Sequence, residues 1–484
     1  MNEEILKRLE ERIKCCPPIF GSGPKSREQQ HNVAVRKRFT ELYNYDPDFR
    51  NKYEREPEKT LAAYDLAVPV REARLLMQPA VCRQEFENID NLPEGVIQYY
   101  SFFYEKLQWR NESQNTLSLP LNKAFRRWRQ RQLNRCWGEF SGLNINFVHV
   151  PLVFELSKGC SVGCPFCALA SERLQAVFRA TEDNLRLWRE VLAVCKRIVG
   201  PAAGEGVCYF ASEPLDNPDY EVFSSIFAEM FGKMPQLTTA VALRRPERTR
   251  RIIEENNAQT KPMIHRFSIL TLEEFRRICD YFTPDELLYV ELMARYPESA
   301  INIYTRAGRA GGDDFAEKYG LTDDAEHDFA NTISCSSGFI VNMAEKTIRL
   351  TTPCNADAEH PTGEIISARA GFTSAADFEA TMLRLIAENM PLTLDMNKKL
   401  GLQKFLRLQP LEHGFALLGA SKFKLTLEDG GQKQPFYRRC GLLLQQGALT
   451  GRELALQVHE ETGADPAEIF ALLRYLDKAG MLLY

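Results

Sequence analysis

Apolar Ile5, Leu9 and Ile13 recur at every fourth position of an otherwise charged stretch. That spacing predicts an amphipathic helix, which the Cys15–Gly23 segment breaks with its prolines and glycines. Helical texture continues to about residue 145. Pro47 and Pro57 each follow an acidic residue, which places them in the first turns of two short helices ahead of an extended exit at Val68-Pro69. Further on, Phe125, Trp128, Gln132 and Cys136 share one helical stripe and the arginines between them fall elsewhere, the pattern of an amphipathic surface helix.

From Val150 the period changes. Short apolar runs at Val150–Leu156, Gly206–Ala211, Leu237–Ala242, Arg266–Leu270 and Leu287–Met293 read as strands, separated by helical stretches at Thr181–Ile198, Tyr220–Phe231, Pro246–Asn256 and Leu272–Tyr281. Such alternation implies right-handed βα units, hence an α/β fold with a parallel sheet, open or closed into a barrel. Two more β-type runs, Phe339–Met343 and Ile348–Cys354, flank a polar turn and predict a hairpin with Cys335 before it and Cys354 at its end. The last stretch reads as Phe423–Leu427, a Glu-Asp-Gly-Gly turn at 428–431, helices at Tyr437–Gln446, Thr450–Thr462 and Asp465–Ala479, and a closing Met481–Tyr484. That is the layout of a winged helix, with Thr450/Glu453 and Asp465/Glu468 spaced as capping boxes. The expected domains are a helical region at 1–145, a βα core at 146–330, a hairpin and helical bridge at 331–411 and a winged helix at 412–484.

Composition narrows the class. A chain of 484 residues exceeds one ordinary core and favours two or three domains. With 26% charged residues and a net charge of −4 there is no polyanion-binding signature, and Asp465–Leu476 in the last helix offers Asp465, Glu468 and a single Arg474 where DNA recognition wants cations, so no nucleic-acid partner is expected. No apolar run approaches the ~18 residues of a membrane span. The first residues also lack the charged-then-apolar order of a secretory signal, so a cytoplasmic protein without a membrane partner is expected. Thirteen cysteines with one tight cluster argue for reduced thiols over a disulfide framework.

That cluster is Cys160-Ser-Val-Gly-Cys164-Pro-Phe-Cys167, delivered at the carboxyl end of the first predicted strand, where βα folds place catalytic groups. Three thiolates fall short of a closed zinc site, which wants four ligands. They fit a [4Fe–4S] cluster whose fourth iron is open, making Cys160, Cys164 and Cys167 the candidate metal ligands. Spacings of three and then two, with the aromatic Phe166 before the last cysteine, resemble the signature of radical S-adenosylmethionine enzymes. The resemblance implies a partial (β/α)6 radical SAM barrel and S-adenosylmethionine bound at the open iron. One-electron reduction by a donor such as flavodoxin or ferredoxin would then release a 5′-deoxyadenosyl radical. The family's Gly-Gly-Glu-Pro turn, which meets the methionyl ammonium, corresponds to Ala211-Ser212-Glu213-Pro214, with small residues in place of the glycines. Arg266 and Ser268 are the candidates for the cosubstrate's carboxylate and ribose.

The second half of the chain bears on the reaction. Cys335-Ser-Ser-Gly338 and Pro353-Cys354 resemble the opening of the auxiliary-cluster domain of peptide-modifying members, but Cys440 is the one cysteine further along, so free thiols are expected instead of a second cluster. The segment Asp46–Pro69 looks like the leader segments of nitrile-hydratase-type peptide precursors. Together with the winged-helix layout, these features resemble the radical peptide epimerases of proteusin-type ribosomal peptide maturation. The resemblance implies L-to-D isomerisation by Hα abstraction and hydrogen return from a thiol, with Cys354 the first choice of donor, projecting toward the barrel mouth, and Cys335 the second. It implies a precursor peptide as partner, its leader on the carboxy-terminal winged helix, a place Asp46–Pro69 would take when no peptide is bound. The rival readings are a radical enzyme forming thioether or carbon–carbon cross-links and a non-catalytic leader- or DNA-binding scaffold with a structural metal.

Overall fold

The computed structural model describes residues 3–21, 23, 25–78, 82, 85–86, 88–301, 305–312, 315, 331–420, 422–428 and 436–484. Its first region holds helices Glu3–Lys14, Arg27–Tyr45, Pro47–Arg55, Pro57–Ala63, Val70–Met77 and Glu94–Glu112. Pro47 and Pro57 stand in first turns as expected, where a missing N–H costs no hydrogen bond. The Asp46 carboxylate caps the first of the two, accepting from the Asp48 and Phe49 amides at 2.9 and 3.2 Å.

These helices share a core with the βα region: Val33, Phe39 and Phe102 pack in one cluster with Phe267, Ile269, Val290 and Leu292. Asp46–Pro69 belongs to that cluster through Phe49, Tyr53, Leu61, Leu66 and Val68. Arg276 pairs with Asp46 at 2.7 Å and with Asp48 at 2.6 Å. The segment therefore does not lie on the carboxy-terminal unit, because its apolar face is already buried here.

The strands follow in order as β1 (Val150–Glu155), β2 (Ser157–Lys158), β3 (Ala176–Val177), β4 (Thr238–Thr239), β5 (His265–Ile269), β6 (Val290–Ala294), β7 (Ser336–Asn342), β8 (Thr347–Pro353) and β9 (Glu364–Gly371). β4, β5 and β6 form a parallel sheet, with the predicted helices between them. β1 lies parallel to β7, and the expected hairpin of β7 and β8 continues antiparallel into β9. The parallel strands thus fall in two sheets. Gly206–Ala211, expected as a strand, contributes one bridge, Val153 to Val207. Beyond it the Glu155 carboxylate accepts from the Ala211 amide at 2.9 Å, so a side chain ends the ladder that carbonyls would have extended. In β5 and β6 buried and half-buried residues alternate, which turns Phe267 and Ile269 into the core and Arg266, Ser268, Glu291 and Met293 to the opposite face.

The basic helix, Lys123–Phe140, departs from the surface helix its stripe suggested. Arg129 is 0% exposed and donates to the carbonyls of His149 at 2.8 Å and Gln114 at 3.0 Å. Arg135 is buried on Glu139 and the Pro353 carbonyl, and Arg127 and Arg131 reach Asp477. A guanidinium carries five donors, so these arginines join regions distant in sequence.

After the Ala375–Asn389 helix comes a unit of β10 (Gly401–Leu402), β11 (Arg407–Pro410), β12 (Gly414–Leu418), β13 (Lys424–Glu428), helices Phe436–Gln446, Gly451–Thr462 and Pro466–Lys478, and β14 (Leu482–Leu483). β11, β12 and β13 form an antiparallel sheet, and β10 pairs with β14. Its core holds Phe415, Leu444, Leu473 and Leu482 and includes Leu394, Leu400 and Leu408, all ahead of residue 412. Thr450 and Glu453 close a full capping box, whereas Asp465 accepts from the Ala467 amide alone. The turn expected at 428–431 lies, past Glu428, outside the described residues. No described helix is long and apolar enough to cross a membrane.

Candidate functional site

The cysteine loop leaves β1 through the short β2–β3 pair and is cinched at its base, where the Cys160 amide donates to the Glu172 carbonyl at 2.9 Å. Gly159 makes this closure possible: its φ is +79°, and a Cβ there would stand 2.2 Å from the Arg173 carbonyl oxygen. Cys160, Cys164 and Cys167 are all half-buried. Burial pushes the Cys164 thiol up to about 12, and the neighbouring Cys160 and Cys167 push in the same direction. A thiol so opposed, with two more sulfurs on the same loop, belongs to a donor set that bound iron would relieve. Among the described residues no three of His, Cys, Asp and Glu converge tightly enough for a single metal ion. A cluster does not ask for that, since each thiolate meets a different iron.

The glycine-rich Arg306–Gly312 stretch straps this loop. The Arg309 amide donates to the Cys167 carbonyl at 3.0 Å, and its guanidinium donates to the carbonyls of Cys164, also at 3.0 Å, and Ser171. Gly308, at φ +55°, comes so close that a Cβ would lie 2.4 Å from the Ala168 carbonyl oxygen.

The Ala211-Ser212-Glu213-Pro214 turn is brought to the same place. Asp216, just beyond it, accepts from the Ser161 amide at 2.8 Å and the Ser161 hydroxyl at 2.5 Å, and Arg244 bridges the two side chains. Glu213 is buried and accepts from the Thr239 hydroxyl at 2.7 Å and from the Ala240 and Leu215 amides at 2.9 and 3.1 Å. Burial raises its carboxyl to about 7 against those hydrogen bonds. Ala211 and Ser212 are half-buried. Sequence reasoning missed Glu155, whose buried carboxylate holds the Ala211 amide, Asn342 and Arg349. The available signal was one charge inside the apolar run Val150–Leu156.

A cavity of about 530 Å³ opens between the amino-terminal helices and β5–β6. A second, of about 210 Å³, lies among Val153, Val207, Tyr209 and Thr238, and Arg266, Met293, Arg295 and Cys335 line both. Ser268 faces the second. Arg266 is held by Glu291 at 3.1 Å. Phe166 meets the Arg295 guanidinium 5.9 Å from its ring centre, which ties the cysteine loop to the cavity wall.

The two remaining thiols part company here. Cys335 is half-buried on the wall of both cavities. Cys354 is 4% exposed, lines neither of them, and its flanking Pro353 carbonyl and Asn355 amide are bound by Arg135 and Glu139. Its expected projection toward the mouth fails for a topological reason. β8 runs antiparallel to β7, and β7 parallel to β1, so Cys354 stands level with the start of β1. That is about 17 Å along the strand from the end that bears the cysteine loop. Cys335 stands at the same level, its carbonyl accepting from the Val150 amide at 2.8 Å, so burial, and not the end of the strand, separates the two thiols.

No protein-family model matches the chain. The chain is 33% identical over 270 residues to the uncharacterized protein y4wI of Sinorhizobium fredii, an alignment covering 56% of this chain and 52% of that protein. It therefore spans about half the length of the curated relative it matches. Among solved structures it is similar to BtrN in complex with AdoMet and 2-DOIA, at 12% identity and a TM-score of 0.30, over 50% of this chain and 82% of that one. A likeness that slight carries no argument about the fold, which rests on the strands and turns above.

Proposed function

We propose that the chain is a radical S-adenosylmethionine enzyme that converts L- to D-residues in a ribosomally made peptide. The observation that supports it best is the joining of the Cys160–Cys167 loop to the Ala211–Asp216 turn through Ser161, Asp216 and Arg244. In this reading Cys160, Cys164 and Cys167 hold a [4Fe–4S] cluster, and the parallel strands with Val207 form a partial (β/α)6 barrel around the inner cavity. When bound, the cluster and S-adenosylmethionine supply a 5′-deoxyadenosyl radical that abstracts hydrogen.

The chain's own residues do the rest. Ala211 and Ser212, fixed through Glu155, offer a small-residue turn to the cosubstrate's ammonium, and Arg266 and Ser268 line the wall for its carboxylate and ribose. Cys335 takes the donor role first assigned to Cys354, because it alone of the pair lines the cavities. Burial raises the Cys335 thiol, which keeps its S–H intact at neutral pH as hydrogen return requires. That hydrogen passes to the Cα face opposite the one that lost Hα, and the sulfur radical left behind takes an electron from a flavodoxin- or ferredoxin-type reductant and a proton from water. The carboxy-terminal unit serves as a winged helix: β13 pairs on one side with β12 and has an open edge among the described residues, to which a leader strand can add.

The test is anaerobic reconstitution with iron and sulfide. The wild type should gain an iron–sulfur chromophore and release 5′-deoxyadenosine on reduction, and Cys160→Ala should lose both. Cys335→Ala should still release deoxyadenosine yet form no D-residue, while Cys354→Ala forms it with deuterium at the altered Cα in deuterium oxide. Absence of deoxyadenosine from reconstituted wild type would sink the reading, and epimerisation by Cys335→Ala would move the donor elsewhere.

A further inference from the structure

The wall of the larger cavity carries more positive than negative charge. Lys106 Nζ lies 2.5 Å from Glu291 Oε1, Arg266 Nε 3.1 Å from Oε2, and Arg110 Nη2 3.9 Å from Oε1. The cation side chains are 9%, 29% and 21% exposed in that order, and Glu291 is 18% exposed. Three cations on one carboxylate leave two positive charges where water screens poorly. The neighbours do not correct this. Among the described residues on the wall the carboxylates are Glu41 and Glu291, and Glu41 is taken by Lys37.

Two of the three cations are lowered, burial first, whereas the burial of Arg266 is overcome by Glu291, Tyr209 and Cys335, which raise it. Burial lowers the Lys106 ammonium, Glu291 counters it, and Lys37 and Arg110 lower it further. Burial likewise lowers Arg110, with Arg266 adding to the effect against Glu291. Arg110 is the group left to answer an incoming anion. Its ion pair exceeds hydrogen-bond distance, and its guanidinium makes no hydrogen bond among the described residues. A planar fork of that kind matches a carboxylate bidentately.

We propose that this cavity is an anion site that takes a carboxylate of the substrate peptide on Arg110, beside Cys335. Tyr45, Tyr99 and Phe103 on the same wall supply apolar and aromatic surface for the stem that bears it. The peptide nature of the ligand rests on the proposed function; the charge of the ligand does not.

Calorimetric titration of the 484-residue chain, without cluster or reductant, separates the two. The probes are N-acetylglutamate amide, N-acetylglutamine amide and N-acetylglycylglycine. The acids should bind about tenfold or more tighter than the glutamine amide. Arg110→Gln should lose that preference and Arg110→Lys keep part of it. A stronger response to N-acetylglutamate amide assigns a side-chain carboxylate, and a stronger response to N-acetylglycylglycine a chain-terminal one. Since burial of the Arg110 charge outweighs its attraction to Glu291, the melting temperature of Arg110→Gln should be at least that of wild type. Equal binding of acid and amide, no binding of either, unchanged affinities in Arg110→Gln, or a lowered melting temperature would each overturn the site. A reconstituted wild type that binds the acids but forms no D-residue would overturn the enzyme reading and leave the site standing.

Discussion

The two ends of the parallel strands hold cysteines in opposite ways. At the carboxyl end of β1 three half-buried thiols ride on a loop closed by Gly159 and strapped by Gly308 and Arg309. At the other end Cys335 faces a cavity, while Cys354 is shut behind Arg135 and Glu139. One end is shaped by absent side chains, the other by large charged ones. A thiol's chemistry follows from which of these surrounds it, so residue type alone would have treated all five alike.

The clamp at the second end should give the largest effect when broken. Arg135→Met leaves Glu139 buried without its partner and should cost about 3–5 kcal/mol in denaturant unfolding. It should leave the iron content of reconstituted protein unchanged, and loss of iron would mean that the two ends are coupled.

The ends should also answer pH in opposite senses. His265, at the foot of β5, is fully buried and lowered by burial from 6.5 to about 4. Its contribution is present above about 6.5 and is lost as pH falls through about 4, on the order of 3 kcal/mol. Buried His149, bonded to Ser337 and Asn144 at the same end, acts in the same sense. Glu213 at the loop end is raised from 4.5 to about 7, so its contribution is present below about 4.5 and is lost as pH rises through about 7, again on the order of 3 kcal/mol. Urea midpoints measured across pH should fall at both limits in protein not yet reconstituted. Glu213→Gln should flatten the alkaline limb alone, and a flattened acid limb would refute the division.

Gly308→Ala should cost about 1–3 kcal/mol and lower iron uptake, because its φ of +55° and the nearby Ala168 carbonyl force the strap away. Gly312→Ala, with nothing within 4 Å of its Cβ, should stay within about 0.5 kcal/mol of wild type in thermal melts. Equal iron loading in the two would remove the strap's role.

What the sequence disclosed was local. The cysteine spacing, Pro47 and Pro57 in first turns, the β7–β8 hairpin and the Thr450–Glu453 box each depend on residues a few positions apart. Arg129 and Arg135 were illegible because a buried arginine is known from its partners, and His149 and Pro353 lie far off in the chain. Glu155 ended a ladder that apolar pattern alone would have continued to Ala211. The heading of Cys354 was misjudged because a hairpin returns its second strand to the end its first strand left.

The Lys123–Phe140 helix grips Asp477 of the carboxy-terminal unit through Arg127 and Arg131, and the residues on either side of Cys354 through Arg135 and Glu139. From Arg127 to Glu139 runs about 18 Å of unbroken helix. One stretch of helix, with no loop in between, is thus the common mount of the carboxy-terminal unit and of the Pro353–Asn355 strand end.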